Sequence, residues 1–223
     1  MSAHAPRGPE DEVTPCEPWR EDDSEDETDD GLPKWVEGDS LAPYVGTPPE
    51  VLDEAFKLAD LTREDIVLDV GSGDGRIPTW AAARWGATRA YGLELEAPLV
   101  ARATDEARRR GVADRTTFYE CDVTKPFSKA ADAAFEEATL ITMYLLPEAL
   151  DRVRPLIVRH LSGPMLPHPP DEPRPRRQKR ILCIGWAPPD LRHVLKTEIT
   201  LPGGGTCELT VLDASSLKDP GGG

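Results

Sequence analysis

The 223-residue chain has little that would tie it to a membrane, an oxidising compartment or a nucleic acid. No apolar run approaches the roughly 18 residues of a spanning helix, so no membrane span is expected. Its four cysteines, Cys16, Cys121, Cys183 and Cys207, show no C-x-x-C spacing. They suggest neither a disulfide framework nor a metal site, and they fit a reducing compartment. The N-terminus has no secretory apolar core, and its acidity is the reverse of a mitochondrial transit peptide, so a cytoplasmic location is expected. Basic charge is scarce: 26 Lys and Arg against 41 Asp and Glu give a net charge of −15. A nucleic-acid binder would need a basic face, and neither the acidic first 40 residues nor the mildly acidic remainder looks like one.

The acidity is unevenly spread. Residues 1–40 hold 14 acidic and 3 basic side chains, with a run from Glu21 to Asp30 and almost nothing to bury. They read as a disordered tail, with Trp19 and Trp35 as isolated candidate anchors. The remaining length suits one α/β domain over residues 41–214, followed by a short tail over 215–223. Within the domain, residues 162–180 hold six prolines and the cluster Arg174, Arg176, Arg177, Lys179 and Arg180. That composition predicts a flexible insertion. A loop leading from a helix into a parallel strand lies at the strand's amino end, so this insertion is expected to be remote from the chemistry.

The organising stretch is Ile66-Val67-Leu68-Asp69-Val70-Gly71-Ser72-Gly73-Asp74-Gly75-Arg76-Ile77. Its apolar β-formers predict a buried parallel strand, the glycines a tight turn, and the Ala-rich run through Trp80 and Trp85 a helix. This is the first βα unit of a doubly wound sheet. Gly71, Gly73 and Gly75 let backbone N–H groups approach a ligand, at a helix N-terminus that favours negative charge. A dinucleotide fingerprint has the spacing G-x-G-x-x-G and an uncharged turn. Here the spacing is G-x-G-x-G with Asp69 before the turn and Asp74 inside it, which suits a ligand carrying an amino group and a sulfonium better than a pyrophosphate.

The rest of the chain continues the alternation. Thr47 and Glu50 have capping-box spacing before a helix that carries Val51, Leu52, Ala55, Phe56 and Leu58. Residues 90–94, 116–120, 138–143 and 180–185 read as further strands. Helices are expected from Pro98 to the Arg108–Arg110 run, and from Pro147, with Pro155 as a kink. Segments 196–201 and 206–212, flanking Pro202-Gly203-Gly204-Gly205, read as an antiparallel hairpin. Glu94 ends the second strand 25 residues after Asp69, where an acid binds ribose hydroxyls, and Glu96 is the competitor. Asp122 follows the third strand as a candidate acceptor for an adenine amino group. Tyr144 follows the fourth, at the carboxyl end where ligands of open α/β sheets bind. Tyr44 and Thr47 are expected to border the same end, as is Trp186 after the fifth strand.

The segment Asp69–Gly75 resembles motif I of class I S-adenosylmethionine-dependent methyltransferases. Pro43-Tyr44-Val45, Gly92-Leu93-Glu94-Leu95 and Tyr144-Leu145-Leu146-Pro147 resemble one lineage within them, the lysine methyltransferases of the adenine nucleotide translocase and the ATP synthase c subunit. The resemblance implies a Rossmann-like sheet of seven strands, mostly parallel, ending in an antiparallel hairpin. It implies S-adenosyl-L-methionine as cofactor, held by Asp69, Gly71, Ser72, Gly73, Asp74, Gly75, Glu94 and Asp122. It also implies a protein substrate with an exposed lysine, approached by Tyr144 and Tyr44, with Trp186 beside them. A mitochondrial location belongs to the human members, whose apolar targeting segment is missing here. A small-molecule methyltransferase, or an adaptor that binds the cofactor and works through the acidic tail, is the alternative.

Overall fold

The computed structural model describes residues 47–164, 178–201 and 204–217. The acidic segment, Tyr44 and most of the Pro-rich insertion lie outside them. Among the described residues the chain alternates helix and strand: α1 (Pro49–Leu58), β1 (Ile66–Val70), α2 (Arg76–Ala83), β2 (Arg89–Glu94), α3 (Ala97–Arg109) and β3 (Thr116–Glu120). It continues with α4 (Lys129–Glu137), β4 (Leu140–Met143), α5 (Pro147–Ser162), β5 (Arg180–Ile184), β6 (Leu195–Thr200) and β7 (Thr206–Asp213), then a 3₁₀ turn at Ala214–Leu217. The strands form one seven-stranded sheet in the order β3-β2-β1-β4-β5-β7-β6. All neighbours are parallel except β5–β7 and β7–β6. The order reverses between β1 and β4, the switch point at which open α/β sheets bind ligands.

Alternation along β1 divides the core. Val67 joins α1 and α2 on one face, while Leu68 and Val70 join α4 and α5 on the other. Phe56 and Leu52 of α1 are fully buried, as are Phe135 of α4 and Ile157 of α5. Each such side chain contributes roughly 1.5–3 kcal/mol by leaving water. The indole N–H groups of Trp80 and Trp85 both donate to Asp53 Oδ1, at 2.9 and 3.0 Å, and lock α1 to α2. At the amino edge, Arg180 donates to both oxygens of the buried Asp65 and to the carbonyls of Ala59 and Asp60, which fixes where β5 enters.

Two features differ from the sequence reading. Helix α4 is an addition: Ser128 caps it by accepting from the Ala131 N–H, and Ala131, Ala134 and Phe135 are its buried stripe. Thr47 does not cap α1, because Pro48 takes the N-cap position and the Pro48 carbonyl accepts from Val51 and Leu52. Pro155 lies inside helix α5, which continues to Ser162. The Arg run behaves as expected of a helix end, with Arg108 on Asp105, Arg109 and Arg110 on Glu106, and Gly111 at φ +68° just beyond. No described helix is long and apolar enough to cross a membrane, and no described group of His, Cys, Asp and Glu could hold a metal ion.

Candidate active site

The carboxyl end of β1 turns sharply because its glycines allow it. Gly71, Gly73 and Gly75 all have φ between +54° and +76°. The N–H groups of Gly71 and Ser72 donate to the Leu93 carbonyl, so the turn is pinned to the end of β2. Space is as restrictive as conformation. A Cβ on Gly75 would lie 2.5 Å from Ala103 Cβ and 2.7 Å from the Phe118 ring. Gly92, in mid-β2, leaves room for the Ser72 hydroxyl, which would stand 2.4 Å from a Cβ there. That hydroxyl is buried and finds no hydrogen-bond partner among the described residues.

Three carboxylates converge on this turn. Asp69 projects from β1 beside Thr142 of β4, whose hydroxyl donates to Asp69 Oδ1 at 2.6 Å. It is buried, and its pKa is pushed up to about 8. Loss of water is the main cause; the Thr142 hydrogen bond opposes it, and the nearby Glu94 and Asp74 charges add to it. Glu94 closes on the turn from β2: Oε2 accepts the Gly73 N–H at 2.7 Å and Oε1 the Glu96 N–H at 3.0 Å. A carboxylate has about four lone-pair sites, so Glu94 can still accept from a ligand. Asp74 is met inside the protein, where the Arg76 guanidinium donates to both its oxygens at 2.9–3.2 Å. Arg76 also reaches the Thr47 carbonyl at 3.2 Å and so ties the approach to α1 to the turn. Nothing in the local pattern announces this residue.

Asp122 stands just past β3, one strand beyond β2. Its carboxylate accepts from the Thr124 N–H and hydroxyl and pairs with Lys125 at 2.7 Å. At the opposite side of the turn, a Cβ on Gly71 would lie 3.2 Å from Leu145, so the segment after β4 abuts the loop. Tyr144 leads this segment, half-buried, and stacks on the exposed Trp186 with ring centroids 6.5 Å apart and 21° between planes. Gly185 makes the stack possible: a Cβ there would meet the Tyr144 ring at 3.0 Å. Burial raises the Tyr144 phenol above its ordinary pKa. The turn, Glu94, Tyr144 and Trp186 thus share one edge of the sheet.

The family model of the ANTKMT methyltransferase domain matches residues 69–165, from Asp69 through α5. A protein-lysine N-methyltransferase of Saccharolobus islandicus is 31% identical over 125 residues, covering 54% of this chain and 70% of that protein. The chain belongs to this methyltransferase family. A Xenopus laevis lysine N-methyltransferase of the ATP synthase c subunit is 41% identical over 83 residues, covering 37% of this chain and 35% of that protein. The crystal structure of an RNA methyltransferase from Salinibacter ruber with S-adenosyl-L-homocysteine superposes with a TM-score of 0.57 at 28% identity, covering 80% of this chain and 98% of that one.

S-adenosylmethionine is the cofactor of this methyltransferase, and the turn has the right donor set for it. Asp69 and Glu94 offer oxygens to a ligand bearing a sulfonium and an ammonium, and the Ser72 hydroxyl is a buried polar group with no partner among the described residues. The cofactor's positive charge at the turn would favour the ionised form of Asp69.

Proposed function

We propose that this methyltransferase moves the methyl group of S-adenosylmethionine onto the side-chain amine of a lysine in another protein. The observation that carries the reading is the Tyr144–Trp186 stack beside the glycine turn. A lysine must be neutral to attack a methyl group, and threading its alkyl stem past aromatic faces strips water from the ammonium and lowers its pKa. In-line transfer needs little covalent chemistry from the protein, so holding amine and methyl group in line supplies much of the rate. Tyr144 is the residue nearest this role, and Tyr44, three positions before Thr47 in the chain, is the second candidate. Asp69, Gly71, Ser72, Gly73, Asp74 and Gly75 form the cofactor turn, with Glu94 for the ribose hydroxyls and Asp122 for the adenine amino group. For Asp74 the role runs through Arg76, since its own oxygens are taken. Asp122 serves only if its local turn with Thr124 yields an oxygen. The names of the Saccharolobus and Xenopus relatives, both lysine methyltransferases, support this acceptor.

RNA is the second reading, raised by the Salinibacter neighbour. Against it, residues 143–147 read Met-Tyr-Leu-Leu-Pro and lack the Asn/Asp-Pro-Pro-aromatic tetrapeptide of nucleic-acid amino-methyltransferases. Incubation with radiolabelled S-adenosylmethionine and a cell lysate separates the two. Label in a protease-sensitive band, resolved by mass spectrometry to a methylated lysine, supports the proposal. Label lost to ribonuclease, or found only in small molecules, refutes it.

A further inference from the structure

We propose that β6 pairs two copies of this chain edge to edge into an isologous dimer, with Thr197 on the two-fold axis. The sheet order ends at β6, and among the described residues no strand covers its outer side. It is a regular strand in unbroken register with β7 over all six residues, yet five of the six are exposed. At its start Val194 and Leu195 are 41% and 48% exposed, two of the few large apolar side chains in the described residues left so open. The link from β5 to β6 contains no helix, so among the described residues the face carrying Lys196, Glu198 and Thr200 has no covering layer. No proline interrupts the edge; the Val194 N–H donates to the Val211 carbonyl opposite Leu195, so the one irregularity precedes the strand, and the edge is charged only at Lys196 and Glu198.

The backbone restricts which registers a second copy can take. The Leu201 N–H donates to the Gly205 carbonyl, so Leu201 faces β7. Backbone groups alternate sides along an antiparallel strand. Thr197 and Ile199 therefore also address β7, and the N–H and C=O groups of Lys196, Glu198 and Thr200 point outward. A centre on Lys196 or Glu198 would set like charges face to face. A centre on Ile199 would face Glu198 with Thr200 and forgo any ion pair. A centre on Thr197 sets Lys196 opposite Glu198 of the second copy twice, Leu195 opposite Ile199 twice, and Thr197 against itself. That register joins opposite charges and apolar pairs on separate faces, as stable cross-strand pairs do.

The charges of a single copy are left unbalanced in the way this pairing corrects. Lys196 forms its ion pair with Glu208 at 2.6 Å, while Glu198 lies directly across the ladder from the same Glu208. Two facing carboxylates repel, and the second copy's Lys196 gives Glu198 its cation. The paired β6 strands are antiparallel, so the carboxyl edges of the two sheets point in opposite directions. Both Tyr144–Trp186 pairs stay open to substrate.

Sedimentation velocity on the full chain between about 5 and 200 μM tests this, with a dissociation constant expected on the order of 10 μM for so small an interface. Lys196→Glu or Glu198→Lys alone puts two like-charge pairs on the axis and raises that constant roughly tenfold or more. The double exchange restores it to within about threefold of wild type. Hydrogen exchange at the Lys196, Glu198 and Thr200 amides slows as concentration rises. A monomer throughout the range, or a dimer indifferent to all three variants, overturns the proposal. Amides already protected in a dilute monomer overturn it too, since another segment of this chain would then cover the edge.

Discussion

Arg76 folds back on Asp74, two residues earlier, and its Nη1 donates to the Thr47 carbonyl. Both side chains are nearly out of reach of water, at 10% and 2% exposure. The glycine turn is therefore braced by an ion pair that also anchors the approach to α1. Removing the cation alone leaves a buried carboxylate without its charge partner. Arg76→Met should cost about 3–5 kcal/mol in urea unfolding, with much of it recovered when Asp74→Asn is added. A cost under about 1 kcal/mol would mean the pair is solvated and braces nothing.

With the cofactor at this turn as proposed, Asp69 should make its binding pH-dependent. Burial raises its pKa to about 8, so near neutral pH the free protein holds it largely protonated. A cationic ligand favours the carboxylate, so affinity for S-adenosylmethionine should rise from pH 6 toward pH 9, and binding at pH 7 should release a proton. Titration calorimetry in buffers of different ionisation heat reads that proton directly, and Asp69→Asn should abolish it. For folding the sign is opposite. The folded state of an acid with a raised pKa holds a proton that the unfolded chain releases from about pH 4. The stabilisation from protonated Asp69 is complete below pH 4 and is lost as pH climbs through about 8.

Gly75 and Gly111 share a left-handed backbone, at φ +76° and +68°, but differ in surroundings. A Cβ at Gly75 meets Ala103 and Phe118, whereas at Gly111 nothing lies within 4 Å. Gly111→Ala should cost about 1 kcal/mol from conformation alone. Gly75→Ala should cost a further 1–3 kcal/mol from overpacking, and should weaken cofactor binding as the turn shifts. Equal losses in a melting experiment would show that the turn yields without strain.

How much of this was legible from the chain depends on distance along it. β1, the turn and Glu94 announce themselves through contiguous patterns: a β-branched run, alternating glycines, an acid ending the next strand. Tyr144 and Trp186 could be assigned to one edge because each directly follows a strand of a parallel sheet. Helix α4 was obscured by its composition, since its buried stripe is mostly alanine set among charges. The Arg76–Thr47 bond spans 29 positions and the Ser72–Gly92 packing 20, and neither leaves a periodic trace. The turn of Asp122 with Thr124 is local, yet an Asx turn and a ligand-binding acid look alike in sequence.

The aromatic stack should separate acceptor from cofactor. Trp186→Ala and Tyr144→Ala should lower kcat/KM for the methyl acceptor by roughly 10²-fold while the cofactor dissociation constant changes by less than about threefold. Tyr144→Phe distinguishes ring from hydroxyl: retained activity assigns the effect to the aromatic face. Parallel losses of cofactor affinity in both alanine variants would move the stack out of the acceptor channel.

The most direct measurement is a calorimetric titration of S-adenosylmethionine into the wild-type chain and its Glu94→Ala variant. One molecule should bind per chain with a clear heat, and the variant, having lost both the Gly73 brace and its acceptor oxygens, should bind at least about tenfold more weakly. No heat with the wild type, or equal affinity in the two proteins, would contradict the assignment of the cofactor to this turn.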